Sequence, residues 1–324
     1  MKTAVIENNQ IVIKNLPDIT LQAQGAIAKV LGCGLCGSDI VKFNHKLVGD
    51  GAVLGHEVVV EIMEINSQTQ FKAGDKIVTS HHIPCGDCVY CNNGNVSMCE
   101  HFKSTNIIPG GFSELIYLSE EHLQNVAYLM PNNLTEIEAS FYEPLGCCVR
   151  AIKRTNLKKE ATALVVGLGS IGILMAQALN AFKIKVVGCD LIKERVELLK
   201  SLGIEAYEKI PDNFIADGIF MTSGSDKAIE TALKFVRSGG KILVFSSTPN
   251  NLGYHNNEIY YRELTVLGSY SPAPIDLKDA LELLKTNQVK VDKLSSVYEL
   301  EKINEAFGDT ISNKILKAYI KINN

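Results

Sequence analysis

Ala163-Leu-Val-Val-Gly-Leu-Gly-Ser-Ile-Gly172 joins a short apolar strand to three glycines in the spacing GxGxxG. An apolar helix is predicted from about Ser170 to Phe182. A second strand follows and ends at Asp190, 18 residues after the last glycine. In such a unit the helix N-terminus and the glycine backbone accept a pyrophosphate, and the acid binds the ribose hydroxyls. The stretch therefore predicts a doubly wound parallel sheet of the Rossmann type that binds a dinucleotide.

The alternation of strands and helices continues after this unit. It predicts helices at 194–202, 226–236 and 276–286, and strands at 218–221, 241–245 and 264–267. A helix at 298–307 and a strand at 315–322 end the chain. Because the parallel sheet already has its strands, we expect this last strand to return to the N-terminal domain.

The N-terminal part reads differently, as many short strands. Two of them flank a turn at Asn8-Asn9, and others lie at 26–31, 58–65 and 76–79. Strands punctuated by Gly and Asp are typical of a small barrel-like β domain. With 324 residues and domains of about 150 each, two domains are expected.

Four cysteines form a compact cluster within this part, Cys85, Cys88, Cys91 and Cys99. Each CxxC spacing lets a tight turn direct two thiolates at one point, which suits tetrahedral Zn²⁺. Unrelated cysteines or a pair of disulfides would be the alternative, and the spacing disfavours both. Four sulfur ligands fill the coordination shell, so this zinc should be structural, and the chemistry must lie elsewhere.

Composition excludes several classes of partner. The net charge is −4, charged residues make up 21%, and no basic run occurs, so neither nucleic acid nor an anionic membrane is expected to bind. No segment reaches the roughly 18 apolar residues of a membrane span. Nine cysteines without a secretory signal predict metal binding and free thiols in a reducing cytoplasm.

Three further fragments carry reactive side chains. They are Cys36-Gly-Ser-Asp39, Gly55-His-Glu57 and Tyr142-Glu-Pro-Leu145. Each fragment alone is weak, because a single His or Cys is more often structural. Together they supply a thiolate, an imidazole and carboxylates, all of which suit zinc.

With these fragments in this order, the sequence resembles the zinc-containing medium-chain dehydrogenase/reductase family, most closely its polyol (sorbitol) and threonine dehydrogenase branch. Gly110-Gly-Phe-Ser-Glu114 also fits, and the pattern covers nearly the whole chain. The resemblance implies a two-domain α/β fold. Residues 1–150 and 290–324 would form a GroES-like β-barrel catalytic domain with a structural zinc lobe at about 82–102. Residues 151–289 would form the Rossmann NAD-binding domain.

The resemblance implies a catalytic zinc held by Cys36 and His56, with Glu57 or Glu143 as the third protein ligand. One thiolate and one carboxylate balance the charge of Zn²⁺ and leave an open position. Both carboxylates together would make the site anionic. We expect Glu57 to be the resting ligand and Glu143 to lie close enough to exchange. Two zinc ions per chain follow.

The implied reaction is hydride transfer from a secondary alcohol or polyol to NAD. Ser38, two residues after Cys36, would first accept the hydroxyl proton; its alternative role is to form a turn. Three departures from the family stand out. Val41 replaces a histidine of the proton relay, which leaves His45 or water. Val58-Val-Val-Glu61 stands where a glycine is usual, and the chain is short enough to have lost a loop that covers substrate.

The cofactor site is assigned to ten positions, together with the catalytic residues named above. They are Gly167, Gly169, Ser170, Ile171, Gly172, Asp190, Arg195, Thr222, Ser246 and Ser269. Asp190 favours NAD because its carboxylate repels a 2′-phosphate, whereas Lys193 and Arg195 leave NADP as the less favoured cofactor.

Two alternatives stand beside an NAD-dependent dehydrogenase. One is an NADPH-dependent alcohol dehydrogenase or carbonyl reductase, and the other is a zinc-binding family member without catalysis. A small-molecule alcohol or polyol is the expected substrate, with a homodimer or homotetramer as the assembly. Four segments are the expected determinants of specificity: residues 43–50, 104–108, 150 and 260–271.

Overall fold

The protein is described by a computed structural model that covers residues 1–246, 253 and 256–323. The chain divides into two compact units. The first comprises Met1–Glu143, Ala273–Lys285 and Val291–Asn324, and the second comprises Pro144–Pro272 and Thr286–Lys290.

Strands of the described residues are numbered here in chain order. They are β1 (Lys2–Glu7), β2 (Gln10–Asn15), β3 (Gly25–Gly34), β4 (Glu57–Asn66), β5 (Lys76–Val78), β6 (Leu115–Leu118), β7 (Tyr128–Leu129), β8 (Thr162–Val166), β9 (Lys185–Cys189), β10 (Glu205–Tyr207), β11 (Ala216–Met221), β12 (Val236–Val244), β13 (Thr265–Gly268), β14 (Ser295–Glu299) and β15 (Lys317–Lys321).

The α-helices are numbered in the same way. They are α1 (Gly37–Asn44), α2 (Val89–Asn92), α3 (Glu100–Ser104), α4 (Glu120–Asn125), α5 (Glu136–Ala139), α6 (Tyr142–Thr155), α7 (Ser170–Ala181), α8 (Lys193–Ser201), α9 (Asp226–Phe235), α10 (Asn256–Tyr261), α11 (Pro274–Lys285) and α12 (Ile303–Ile311). Short 3₁₀ helices lie at Val96–Met98 and Leu300–Lys302.

A mainly antiparallel sheet forms the centre of the first unit. Its strand order is β14-β15-β3-β4-β5-β7, with β6 paired to β3. Strands β1 and β2 form a separate hairpin, and Asn8 and Asn9 have positive φ angles of 50° and 58° in its turn. Asparagine tolerates this left-handed conformation, which a two-residue hairpin turn requires.

The long pair β3 and β4 positions the reactive fragments of the first unit. Residues such as Ala26, Ala28, Val30, Val58 and Val60 alternate into its core and are almost fully buried. In the antiparallel register Gly34 lies opposite Glu57, so the end of β3 meets the start of β4. Strand β15 pairs with β3 on the other side, with Tyr319 opposite Gly34.

The second unit contains a fully parallel sheet in the order β10-β9-β8-β11-β12-β13. This is the doubly wound Rossmann order: β9 and β10 are added on one side of β8, and β11, β12 and β13 on the other, so the strand order switches between β8 and β11. Its strands are apolar runs because both faces are buried; residues 163–165 of β8 are 0% exposed. The predicted two-domain α/β fold with a Rossmann sheet is confirmed.

One secondary-structure prediction at the C-terminal end is wrong. The helix predicted from Tyr298 begins only at Ile303, and Tyr298 itself lies on β14. Parallel pairing with β15 stabilises Ser295–Glu299 as an edge strand, which is a tertiary effect that local pattern does not report. The returning strand is present as β15. Within the described residues, no helix combines the length and the apolar character that crossing a bilayer requires.

Candidate metal centres and cofactor site

Cys36, His56 and Glu57 come together where β3 ends and β4 begins. One ligand atom from each lies within 4.8 Å of the others. Cys36 is the N-cap of α1 and lies two residues after β3, whereas His56 directly precedes β4 and Glu57 is its first residue. A thiolate, an imidazole and a carboxylate in this arrangement match the donors of a three-ligand zinc site. The Oε1 atom of Glu57 is buried and has no hydrogen-bond partner among the described residues, which also fits a metal ligand.

Asp39 orients His56 and was not predicted as a site residue. Its buried carboxylate accepts hydrogen bonds from the backbone N–H of Cys36 (3.1 Å) and of Gly55 (3.3 Å). It also lies 3.4 Å from Nδ1 of His56. Burial alone would raise the pKa of Asp39, but the charge and hydrogen bonds of His56 and the backbone lower it overall. A carboxylate on Nδ1 leaves Nε2 available to a metal ion.

Lys317 is a second residue that sequence reasoning missed. Its Nζ lies 2.5 Å from Oε2 of Glu57, and both side chains are almost completely buried. The contact is an ion pair. Its angles do not meet those of a hydrogen bond, so Oε2 of Glu57 has no hydrogen-bond partner among the described residues. Burial would lower the pKa of Lys317, but the charges of Glu57 and Cys36 raise it overall, so the ammonium stays charged.

Glu143 does not join this three-residue set. It lies in the first turn of α6 and is 4% exposed. The effect of its negative charge is the smallest of those that raise the pKa of Lys317. Among the residues that the structure describes, the group within 4.8 Å comprises only Cys36, His56 and Glu57. Ser38 is exposed on the first turn of α1.

A row of histidines extends from the same site. The ring centroid of His81 lies 4.6 Å from that of His56 and 3.9 Å from that of His82. Burial, followed by the neighbouring charges, holds the pKa of His81 well below its usual value; for His82 burial lowers the pKa to about 4. Both rings are therefore neutral near pH 7. No spacing motif marks them, because they only precede the first cysteine of the lobe.

A cavity of about 250 Å³ lies beside His56 in the first unit. Its polar lining side chains are Asp39, Lys42, His56, His81 and Asn106. Val48 and Asn106 come from two of the segments that we expected to determine specificity. His45, in contrast, is exposed at the end of α1 and does not line this cavity.

The four cysteines of the lobe lie close together as free thiols. Their sulfur atoms are within 4.8 Å of one another, and Cys85 and Cys99 approach to 3.5 Å. Cys88 and Cys99 are the N-caps of α2 and α3, and the backbone N–H of Cys85 donates to the sulfur of Cys99 at 3.5 Å. Burial would raise the pKa of Cys99, but N–H groups of Cys85 and Phe102 lower it to about 6. The donor set fits a zinc ion with four thiolate ligands.

The glycine motif of the second unit lies between β8 and α7. A Cβ on Gly172 would lie 1.9 Å from the carbonyl oxygen of Gly167, so only glycine fits there. A Cβ on Gly169 would meet no atom within 4 Å, which leaves open space at the N-cap of α7. Ser170 and Ile171 begin the helix. The open space before a helix N-terminus suits a phosphate group.

Asp190 links the glycine loop to the next strand. One oxygen accepts a hydrogen bond from the N–H of Leu168 (2.6 Å), and the other accepts one from Ile192 (2.9 Å). Nη1 of Arg195 lies 3.6 Å from Oδ2. Each carboxylate oxygen keeps a further lone pair for a ribose hydroxyl.

Three remaining cofactor positions lie at one edge of the parallel sheet. Thr222 follows β11 directly, Ser246 comes two residues after β12, and Ser269 follows β13. Thr222 donates a hydrogen bond to the carbonyl oxygen of Gly167 (2.7 Å). The Oγ of Ser269 is buried without a partner in the described part of the chain. Carboxyl ends of parallel strands are where ligands bind in open α/β sheets.

Two family models match the chain. Residues 22–128 match the alcohol dehydrogenase GroES-like domain, and residues 167–286 match the zinc-binding dehydrogenase domain. Sorbitol dehydrogenase of Bacillus subtilis is 28% identical, covering 99% of this chain and 97% of its own. D-arabitol-phosphate dehydrogenase of Enterococcus avium is 27% identical, covering 92% and 90%.

A solved structure with the same fold is alcohol dehydrogenase TADH from Thermus sp. ATN1. It has a TM-score of 0.87 at 22% identity, and the alignment covers 100% of both chains. The 2R,3R-butanediol dehydrogenase of Bacillus subtilis has a TM-score of 0.85 at 23% identity and 99% coverage of both. The chain therefore belongs to the zinc-binding medium-chain alcohol dehydrogenase family and is an oxidoreductase of the alcohol dehydrogenase type.

Proposed function

We propose that the protein is an NAD-dependent dehydrogenase of secondary alcohols or polyols with two zinc ions per chain, one catalytic and one structural. The observation that carries this proposal is the convergence of Cys36, His56 and Glu57, with ligand atoms within 4.8 Å. The separate four-cysteine cluster already accounts for a structural ion, so the three-residue site is left for chemistry.

Cys36, His56 and Glu57 would hold the catalytic zinc, with Glu143 near enough to exchange. A zinc ion in an open three-ligand site acts as a Lewis acid that lowers the pKa of an alcohol hydroxyl. Asp39 keeps His56 in the tautomer that presents Nε2 and fixes the direction of its ring. Burial of Glu57 and His56 excludes water from the donor side of the site.

Ser38 would accept the proton that the substrate hydroxyl loses. It is exposed in the first turn of α1, two residues after Cys36. With Val41 in place of the usual histidine, the proton would leave to water in the cavity beside His56. His45 is less favoured in this role, because it does not line that cavity.

NAD would bind along the carboxyl edge of the parallel sheet, and it would supply the hydride acceptor. Gly167, Gly169, Gly172 and the first turn of α7 would hold the pyrophosphate. Asp190 would bind the adenosine ribose, and Thr222, Ser246 and Ser269 lie where the rest of the cofactor would run. Arg195 is the residue that favours NADP as second candidate, but its guanidinium lies beside the carboxylate of Asp190.

A polyol is the substrate class that we favour within the alcohols. Lys42, His81 and Asn106 supply hydrogen-bonding groups to the cavity beside His56. Two relatives, sorbitol dehydrogenase and D-arabitol-phosphate dehydrogenase, are named for polyhydroxylated substrates. Among these three cavity side chains His81 is buried, and a simple aliphatic alcohol would offer its ring fewer hydroxyl partners than a polyol, which disfavours such a substrate.

We further propose the assembly, the domain roles and the compartment. Residues 1–150 and 290–324 would form the catalytic domain, and residues 151–289 would form the cofactor domain. A homodimer or homotetramer is supported by β13, which ends the parallel sheet as described and carries exposed Val266 with exposed Tyr270 beside it. Nine free cysteines in the structure support a reducing cytoplasm.

The test is a panel of alcohols assayed with both cofactors. Sorbitol, xylitol, arabitol, arabitol phosphate, 2,3-butanediol and ethanol are each incubated with the zinc-loaded enzyme and NAD⁺ or NADP⁺. We expect NADH formation with at least one polyol and little with ethanol. If the protein holds both zinc ions but neither oxidises these alcohols nor reduces the corresponding carbonyl compounds, it would be a non-catalytic member of the family.

A further inference from the structure

Lys317 is an unusual neighbour for a metal ligand, because a buried ammonium competes with a metal ion for the same carboxylate. It lies on β15, is 3% exposed, and pairs with Glu57 at 2.5 Å. Its other neighbours are weak: the carbonyl oxygen of Leu35 at 3.4 Å and the ring of Phe141, whose centroid is 5.6 Å away. Burying an ammonium is costly, and Glu57 is the group that compensates for it.

Three strands are built around this pair. The N–H of Leu35 donates to the carbonyl oxygen of Ala318 (2.9 Å), which sets Lys317 beside the end of β3. A Cβ on Gly34 would lie 2.0 Å from Oε2 of Glu57 and 3.1 Å from Cε of Lys317, so glycine provides the space for both side chains. The packing of the strands therefore holds Lys317 beside Glu57, and the ion pair does not form through a flexible surface side chain.

The ammonium changes the charge balance on which the choice of ligands depends. A thiolate from Cys36 and a carboxylate from Glu57 balance Zn²⁺, and Lys317 then leaves the site with one positive charge. A second carboxylate would restore neutrality. Glu143, which is 4% exposed, is the carboxylate to which the proposed function already assigns this exchange. The expectation that two carboxylates make the site anionic is therefore incomplete, because it leaves this lysine out.

We propose that Lys317 is a positioning residue for the catalytic zinc: it retains Oε2 of Glu57, leaves Oε1 for the metal, and weakens Glu57 as a ligand so that Glu143 can enter. The inference rests on the proposed function, since it requires a zinc ion at Cys36, His56 and Glu57. Its central consequence is that the wild-type site binds zinc less tightly than the same donors would without the lysine.

The experiment measures zinc affinity by competition with a chromophoric chelator. We expect Lys317→Met to bind the second zinc about tenfold more tightly than the wild type, because Glu57 loses its competing cation. In the metal-free form the same variant should unfold at lower temperature, since a buried carboxylate is left unpaired. Added zinc should then raise its unfolding temperature more than it raises that of the wild type.

Two other variants separate this role from a merely structural one. Lys321→Met removes a lysine from the same strand without touching Glu57 and should leave zinc affinity unchanged. The double variant Glu57→Gln/Lys317→Met removes both charges of the pair, so its folding should not depend on a zinc ion at Cys36 and His56. In the Glu57→Gln background, removing Lys317 should no longer tighten zinc binding through Glu57, and the two substitutions should be non-additive.

The outcomes are distinguishable. If Lys317→Met binds the second zinc with unchanged or lower affinity, or if the double variant is additive, the proposal is overturned while the dehydrogenase function stands. If the wild type binds only the zinc of the cysteine lobe, both the proposed function and this inference fail. Cobalt substitution adds an independent readout, because the visible spectrum of Co²⁺ should change in Lys317→Met and remain that of the wild type in Lys321→Met.

Discussion

Asp39→Asn is the perturbation that most directly probes how the zinc ligands are held. The wild-type carboxylate accepts two backbone N–H groups, at 3.1 Å from Cys36 and 3.3 Å from Gly55, and lies 3.4 Å from Nδ1 of His56. Asparagine is nearly isosteric, but only one of its two terminal atoms accepts hydrogen bonds. One of these partners must therefore face an amide N–H₂ group.

Two effects follow, and their sizes can be stated. A buried N–H left without an acceptor costs about 1–3 kcal/mol of folding free energy. Loss of the carboxylate that orients a metal-binding histidine typically lowers metal affinity by about 10–100-fold. We therefore expect Asp39→Asn to unfold at lower temperature and to bind the second zinc about 10–100-fold more weakly, while the zinc of the cysteine lobe is retained.

The assay is chelator competition on both zinc ions together with thermal unfolding. Asp50→Asn is the matched control, because Asp50 accepts one backbone N–H, from Asn8 at 3.0 Å, but is exposed and contacts no ligand residue. It should leave the affinity for both zinc ions unchanged. If Asp39→Asn keeps wild-type affinity for the second zinc to within about twofold, the assigned role of Asp39 is refuted.

Three further predictions concern the ligands and the cofactor. Glu57→Gln should lower the affinity for the catalytic zinc by about 10–1000-fold, a range extended from the smaller losses seen when groups that hydrogen-bond to metal ligands are changed. Glu143→Gln should keep its zinc and lose kcat. If metal analysis finds zinc lost from Glu143→Gln and kept in Glu57→Gln, the roles of the two carboxylates are reversed. Cys88→Ser should lose the lobe zinc and unfold or dissociate more readily, so a fully folded variant that retains this ion would disprove the lobe assignment. Wild-type kcat/KM should favour NAD⁺ over NADP⁺ by at least about tenfold, or ~1.4 kcal/mol, and Asp190→Ala should reduce this preference; steady-state kinetics with a wild-type preference for NADP⁺ would contradict it.

Local patterns in the sequence predicted those parts of the fold in which neighbours in the chain are neighbours in space. The hairpin at Asn8-Asn9, the glycine loop before α7 and the CxxC cluster all depend on turns of a few residues. In these stretches the residues that form the turn also carry the reactive groups, so their spacing alone predicts the local structure. The predicted start of the last helix was wrong because the conformation at Tyr298 is determined by pairing with β15, a strand that lies outside the local sequence pattern around Tyr298.

The residues that were missed reach the candidate site from distant parts of the chain or carry no motif. Lys317 lies 260 residues after Glu57, and an isolated lysine in an apolar strand predicts nothing by itself. His81 precedes the cysteine lobe at no diagnostic spacing, yet its ring contacts that of His56. Asp39 belongs to the fragment Cys36-Gly-Ser-Asp39, and its complete burial, which the sequence does not reveal, distinguishes it from a surface acid. A buried ionisable residue becomes recognisable only when tertiary packing is known.

Zinc content per chain is the measurement that tests the central claim most directly. Freshly purified wild type should contain two zinc ions, and Cys36→Ala should contain one, which stays in the four-cysteine lobe. Dialysis against a mild chelator should remove the ion at Cys36, His56 and Glu57 first, because that site has an open coordination position. One zinc in the wild type, retained unchanged in Cys36→Ala, would contradict a catalytic metal at these residues.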